Sequence, residues 1–155
     1  MFSMFKGVVS VTPGYAGGSA RDPTYEQVCN GNTGHAEVLE IEYDPSVIPL
    51  GKILKVFFKM HDPTQVNRQG NDIGTQYRSI ILYTSAAQKS KVERFIANLQ
   101  KSLPSNIMTE VKRLGAFYPA EDYHKDFYKK NPINPYCIFV IRPKLSKIKK
   151  EFTGL

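Results

Sequence analysis

Residues 36–43 alternate as Ala36-Glu37-Val38-Leu39-Glu40-Ile41-Glu42-Tyr43. A repeat of two places successive side chains on opposite faces, so this segment is a β-strand, not a helix. In that register Glu37 shares a face with Leu39, Ile41 and Tyr43, which turns a carboxyl inward. Burial without a cationic partner penalises the charged form, so such a group gains proton affinity and stays a neutral acid near pH 7. The competing reading makes 36–43 an edge strand whose first residues are still solvated, with Glu37 an ordinary surface charge.

The rest of the chain supplies both layers of a sandwich. Val8 to Val11 is strand-like and runs into the turn Pro13-Gly14-Tyr15-Ala16-Gly17-Gly18, and a loop continues through Asp22-Pro23-Thr24-Tyr25. Ile53, Leu54, Phe57 and Met60, widened by Val56 and Phe58, form a helical stripe that stops near His61-Asp62-Pro63. A β-branched and aromatic strand spans Tyr77 to Tyr83. Ser85-Ala86-Ala87-Gln88 then has the form of a capping box, ahead of a helix whose apolar face is Val92, Phe95, Ile96 and Leu99. Ile107 to Leu114 alternates again, a polar helical stretch covers Glu121 to Lys130, and a last strand lies near Cys137 to Ile141. This order predicts an α+β, two-layer sandwich: a mainly antiparallel mixed sheet with helices packed on it. With 155 residues, 41% of them hydrophobic, a single domain over 1–155 is expected, ending in a basic tail from about 142.

Charge and cysteine content exclude several classes of function. Lys and Arg number 21 against 14 Asp and Glu, a formal net charge of +7. A polyanion-binding protein would use such an excess, but much of it sits in Arg142, Lys144, Lys147, Lys149 and Lys150 without a recognition motif, so no nucleic acid partner is expected. Cys29 and Cys137 form no CxxC pair, which argues against a disulfide scaffold and a structural zinc site; no metal is expected. Apolar runs such as Cys137-Ile138-Phe139-Val140-Ile141 are too short to span a bilayer, and Met1-Phe2-Ser3-Met4-Phe5-Lys6 lacks the features of a signal peptide. No membrane association is expected, and a cytoplasmic location is.

Between the first long helix and its following strand, Asn67-Arg68-Gln69-Gly70-Asn71-Asp72-Ile73-Gly74-Thr75-Gln76-Tyr77-Arg78-Ser79 is long and polar for a mere connection. Asp72 suits anchoring a water or orienting a donor, and the Tyr77 phenol suits donating to a polar oxygen. An Asx-turn and a core tyrosine are the structural alternatives.

Taken together, Gly14-Tyr15-Ala16-Gly17-Gly18, Pro23-Thr24-Tyr25, Gly34-His35-Ala36-Glu37, His61-Asp62-Pro63 and the segment from Gln69 to Ser79 resemble the peptide methionine sulfoxide reductase A family. The resemblance runs from about Gly7 to Pro135-Tyr136-Cys137 and the tail. It implies the ferredoxin-like fold of that family and the thiol-dependent reduction of methionine S-sulfoxide, free or in oxidised proteins, to methionine. That chemistry is protein repair under oxidative stress, with thioredoxin or another dithiol as electron donor and no bound cofactor; a monomer is expected. By motif match, Glu37 is the general acid, Tyr25 and Tyr77 are hydrogen-bond donors to the departing oxygen, and Asp72 orients a water.

One departure is plain in the sequence. The family's Gly-Cys-Phe-Trp segment, which carries the nucleophilic cysteine at a helix start, is absent from these residues, and the chain holds no tryptophan. Met1 to Val8 matches the end of the helix that this cysteine begins, so an N-terminally truncated form is expected, with the preceding strand missing, a sheet edge opened and turnover low. Cys29 is not in the nucleophile's motif. Cys137 matches the region where many members keep a resolving thiol; a buried core cysteine is its structural alternative. A methionine sulfoxide binding protein without catalysis is the second function expected of such a chain.

Overall fold

The computed structural model describes residues 1–121, 130–131, 133–135 and 142–152. Its elements are β1 (Val8–Ala16), α1 (Tyr25–Cys29), β2 (Ala36–Tyr43), α2 (Leu50–Met60), β3 (Arg68–Gln69), β4 (Asp72–Ile73), β5 (Ile80–Tyr83), α3 (Ala86–Gln100), β6 (Glu110–Arg113), β7 (Phe117–Pro119) and α4 (Arg142–Glu151). β1 is central, flanked antiparallel by β2 and β7; β3 and β4 form a short hairpin; β5 and β6 run parallel. The architecture is the mixed α+β one that the pattern of the chain predicts.

The alternating segment is β2 throughout, and its register sets the site. Tyr15 stands opposite Glu37, Pro13 opposite Leu39 and Val11 opposite Ile41. On the far side of β1, Tyr15 pairs with Tyr118 of β7. Among the described residues β2 and β5 each pair on one side only, and one cavity runs along both. That cavity changes the outcome for Glu37: the residue lines the cavity wall with Leu39, Ile41 and Tyr43, as the register requires, but it is exposed, not buried. Leu39 is itself 46% exposed. The face is shared; the space in front of it is open.

The main core gathers both ends of the chain. Phe2, Phe5, Ile48, Ile53, Val56 and Ile148 form one buried cluster. At roughly 1.5–3 kcal/mol for each fully buried side chain of this size, it is the largest apolar contribution visible here. Met1 to Val8, which resembles a helix end, is a single 3-10 turn at Phe2–Met4, and Phe5 meets Phe152 edge-on with ring centres 5.8 Å apart. The basic segment beyond 142 is helical as α4, with Ile148 only 2% exposed, so an apolar anchor holds it to the core. The Lys55 ammonium lies over the Phe152 ring at 5.5 Å, a cation–π contact at the same junction.

Both long helices follow their stripes. α2 buries Ile53, Leu54, Val56 and Phe58, while Phe57 and Met60 pack partly buried against the cluster. α3 begins with Ser85 accepting from the Gln88 amide at 3.2 Å, half of the capping box; Gln88 Oε1 accepts from the Thr84 amide and hydroxyl instead of closing on Ser85. Phe95 of α3 stacks on Phe58 at 5.6 Å. Three local expectations shift. Residues 25–29 are helical instead of loop, because Thr24 and Gln27 cap each other reciprocally. The strand expected from Tyr77 starts at Ile80, since Thr75–Tyr77 is a 3-10 turn. The strand over 107–114 shortens to β6. Of the helical stretch expected over 121–130 only Glu121 and Lys130 are described, Lys130 as helical, and the strand near Cys137 lies outside the described residues.

Candidate functional site

Two turns carry the site. The glycine-rich turn after β1 is fixed by His35, 2% exposed: its Nδ1 accepts from the Gly18 amide at 3.0 Å and its Nε2 donates to the Ala20 carbonyl at 2.8 Å. A neutral ring is the form that satisfies both partners. The Thr33 carbonyl accepts from Ser19 and Ala20, so the turn is tied to the residues that lead into β2 and Glu37.

The second turn is the long polar loop. Asn67 and Gly70 adopt left-handed backbone, Tyr77 donates its amide to the Gly74 carbonyl at 3.1 Å, and Gly74 sits at φ 151. A side chain on Gly74 would collide with that of Gln76. Gln76 is buried there, 6% exposed, and its Nε2 donates to the Cys29 carbonyl at 3.3 Å, joining the loop to α1. At the other end of α1, the Tyr25 amide donates to Glu121 at 2.9 Å.

These supports bring Tyr25, Glu37, Asp72 and Tyr77 to one cavity of about 720 Å³, with Ile41, Phe57 and Leu82 among its apolar walls. All four residues expected from the sequence therefore meet. The proton affinities of Tyr25, Glu37 and Tyr77 respond to burial and to neighbouring charge. Burial by surrounding atoms raises the Glu37 pKa, and the Asp72 carboxylate raises it further. The Tyr77 phenol is pushed up first by burial, then by the charges of Glu37, Asp72 and Cys29, against a smaller opposing hydrogen bond from Gln76. Tyr25 is raised strongly, first because its hydroxyl is hydrogen-bonded to the Cys29 side chain one turn along, then by burial and by the charges of Cys29, Glu37 and Tyr77. Glu37 is reached by solvent from the open cavity and yet crowded enough for its charged form to be disfavoured.

The chemistry follows. A carboxyl that retains its proton above the usual range and two phenols held neutral place proton-donor groups on the wall of one cavity. Asp72, exposed on β4, adds an acceptor that can hold a water. Apolar walls next to these donors suit a group that ends in a polar oxygen on an otherwise apolar, thioether-sized substituent. Among the described residues no cluster of three or more His, Cys, Asp or Glu side chains could hold a metal ion.

Sequence reasoning did not place Cys29, Gln76, Arg78 or Glu121 around this site. Cys29 had one available signal: it is four residues after Tyr25, a neighbour on a helix and remote in a loop. Cys137 lies outside the described residues.

Comparison with known proteins gives a consistent result. The family described as peptide methionine sulfoxide reductase matches residues 1–154. The peptide methionine sulfoxide reductase MsrA of Saccharolobus solfataricus is 52% identical over 152 residues, covering 98% of this chain and 86% of the relative. That of Acinetobacter baumannii is 51% identical over 155 residues, covering 100% of this chain and 89% of the relative. Among solved structures, reduced Mxr1 from Saccharomyces cerevisiae superposes with a TM-score of 0.80 at 37% identity, covering 84% of this chain and 76% of that one. Mxr1 in complex with Trx2 superposes with a TM-score of 0.54 at 25% identity, over 79% of this chain and 67% of that one.

Proposed function

This chain belongs to the peptide methionine sulfoxide reductase family, an MsrA-type oxidoreductase, and from that premise we propose that the cavity of Tyr25, Glu37, Asp72 and Tyr77 receives the S-epimer of methionine sulfoxide. The observation that carries this reading is the convergence of those four side chains on one cavity, with Glu37 raised toward its protonated form.

A sulfoxide oxygen leaves poorly unless it is protonated. Glu37 transfers its proton to that oxygen while Tyr25 and Tyr77 donate hydrogen bonds to it, and Asp72 holds the water nearby. As a thiolate bonds to the sulfoxide sulfur, the sulfur–oxygen bond breaks. Water then bonds to the attacking sulfur as the new sulfur–sulfur bond breaks, so the substrate leaves as a thioether, the attacking thiol is left as a sulfenic acid and a proton returns to Glu37; a dithiol then converts the sulfenic acid to thiol, releasing water and a disulfide. The complex of the yeast relative with Trx2 supports a thioredoxin as that dithiol.

The origin of the thiolate separates two readings. Cys29 is hydrogen-bonded to Tyr25 but does not line the cavity. That observation favours, as a second reading, a protein that binds the sulfoxide without turning it over. One experiment decides: racemic N-acetylmethionine sulfoxide amide is incubated with protein and dithiothreitol, and both epimers are followed by chiral chromatography. Catalysis consumes the S-epimer alone, and Glu37→Gln slows it by about 10²–10⁴-fold. Binding of the S-epimer by calorimetry without consumption selects the second reading. Equal handling of both epimers, or a fully active Glu37→Gln, overturns the assignment.

A further inference from the structure

Arg78 has no part in the chemistry just described, yet its side chain is only 11% exposed and reaches three elements at once. Nη2 donates to the Gly34 carbonyl at 2.9 Å, and Nη1 donates to the Thr75 carbonyl at 2.9 Å. Nε lies 3.4 Å from Glu110 Oε1, whose partner oxygen meets Lys112 Nζ at 2.7 Å. Gly34 is three residues ahead of Glu37, and Thr75 opens the 3-10 turn that ends at Tyr77. The guanidinium therefore joins the lead-in to the acid with the turn that presents a phenol.

We infer that Arg78 is a positioning residue that sets the spacing of Glu37 and Tyr77 by holding the Gly34 and Thr75 carbonyls in one plane. Its value to the reaction rests on the sulfoxide reading above; the clamp itself does not. The shape of the side chain is the physical reason. A planar fork presents divergent donors at fixed angles, and a lysine ammonium on a flexible stem cannot reproduce them. A second argument excludes a role as counter-ion to Glu37. A cation acting on that carboxyl would lower its pKa, whereas Glu37 is raised by burial and by Asp72. The charge acts on Glu110 instead: burial would raise that carboxyl, and the hydrogen bonds and charges of Lys112 and Arg78 outweigh it.

The test is Arg78→Lys, which keeps the charge and removes the fork. Amide hydrogen exchange is read at His35, whose N–H donates to Thr33 Oγ1, and at Tyr77, whose N–H donates to Gly74. Both amides are expected to exchange at least about tenfold faster, while the Leu114 amide bonded to Tyr83 beside the β5–β6 pair keeps its protection. The dissociation constant for N-acetylmethionine S-sulfoxide amide is expected to rise about tenfold, with the Glu37 carboxyl still titrating above its ordinary range. Unchanged protection at either amide, or loosening confined to the β5–β6 pair, overturns the inference. Glu110→Gln is the second variant and decides alone if Arg78→Lys does not fold: it leaves both carbonyl contacts and is expected to change the two amides by less than about threefold. If it loosens both amides as much as loss of the fork should, the ion pair is the clamp and the inference fails. A chain that binds no sulfoxide would defeat the functional reading, and the exchange result would still judge Arg78.

Discussion

The Tyr15 hydroxyl donates to Glu121 Oε2 at 2.8 Å, linking the centre of the sheet to the same carboxylate whose other oxygen accepts the Tyr25 amide at 2.9 Å. One carboxylate thus fixes the strand that faces Glu37 and the helix that carries Tyr25. Glu121→Ala removes both bonds and is expected to cost at least roughly 1.5–3 kcal/mol in urea unfolding, the range for a single hydrogen bond to a charged group. Glu121→Gln keeps one acceptor oxygen and should cost less than half as much. Equal losses in the two variants would show that packing, not the paired acceptor, supports α1.

The raised pKa of Glu37 has a definite signature in stability. Below the ordinary glutamate value of 4.5, folded and unfolded chains are both protonated and the contribution is present in full. As pH rises, the unfolded chain ionises first, so it binds fewer protons than the folded one and stability declines; the decline ends once pH has passed the native pKa. Glu37→Gln removes this slope. Its unfolding free energy should match the parent within about 0.5 kcal/mol at pH 4 and exceed it above the native titration. Because the side chain is solvent-accessible, the gain is small, and the sharper measurement is the carboxyl ¹³C titration, which Asp72→Asn should move downward.

Each phenol is assigned one hydrogen bond to the sulfoxide oxygen. Tyr77→Phe and Tyr25→Phe should each weaken binding of the S-epimer by about three- to tenfold, the effect of one neutral hydrogen bond. The R-epimer, which directs its oxygen elsewhere, should be unaffected. Tyr25→Phe also frees the Cys29 side chain from its hydroxyl partner, so alkylation of that thiol by iodoacetamide should accelerate in this variant alone. Calorimetry with the separated epimers tests the first expectation, and mass spectrometry of the labelled chain tests the second.

The parts of the fold legible in the sequence are those with a long period. β2 and α2 repeat over eight and eleven residues, and both form where expected. Glu37 was legible as to face and not as to burial, because alternation says which way a side chain points and nothing about whether a neighbour fills the space beyond. α1 has five residues, too few for a helical repeat, so its only signal was the Thr24–Gln27 cap. Arg78 and Glu121 act through partners 44 and 106 or 96 residues away. Such separations leave no local trace, which is why the four chemical groups could be named from motifs while their supports could not.

The turn that seats Glu37 allows no side chain at Gly18. A Cβ there would meet the backbone of Gly34 and His35, and the Thr33 carbonyl at 2.5 Å, none of which can swing aside. The Gly18 amide must also stay 3.0 Å from His35 Nδ1. Gly18→Ala is therefore expected to destabilise the fold by at least about 1–3 kcal/mol, the cost of overpacking a close contact. The backbone shift passes through His35 to the start of β2, so affinity for the S-epimer should fall with stability. Gly51, in the first turn of α2, is the contrast: a Cβ added there meets nothing within 4 Å. Gly51→Ala should stabilise by about 0.5–1 kcal/mol through helix propensity, with sulfoxide affinity unchanged. Urea unfolding and calorimetry on the two variants separate these effects, and a Gly18→Ala protein as stable as the parent would mean that the turn can open without disturbing the acid.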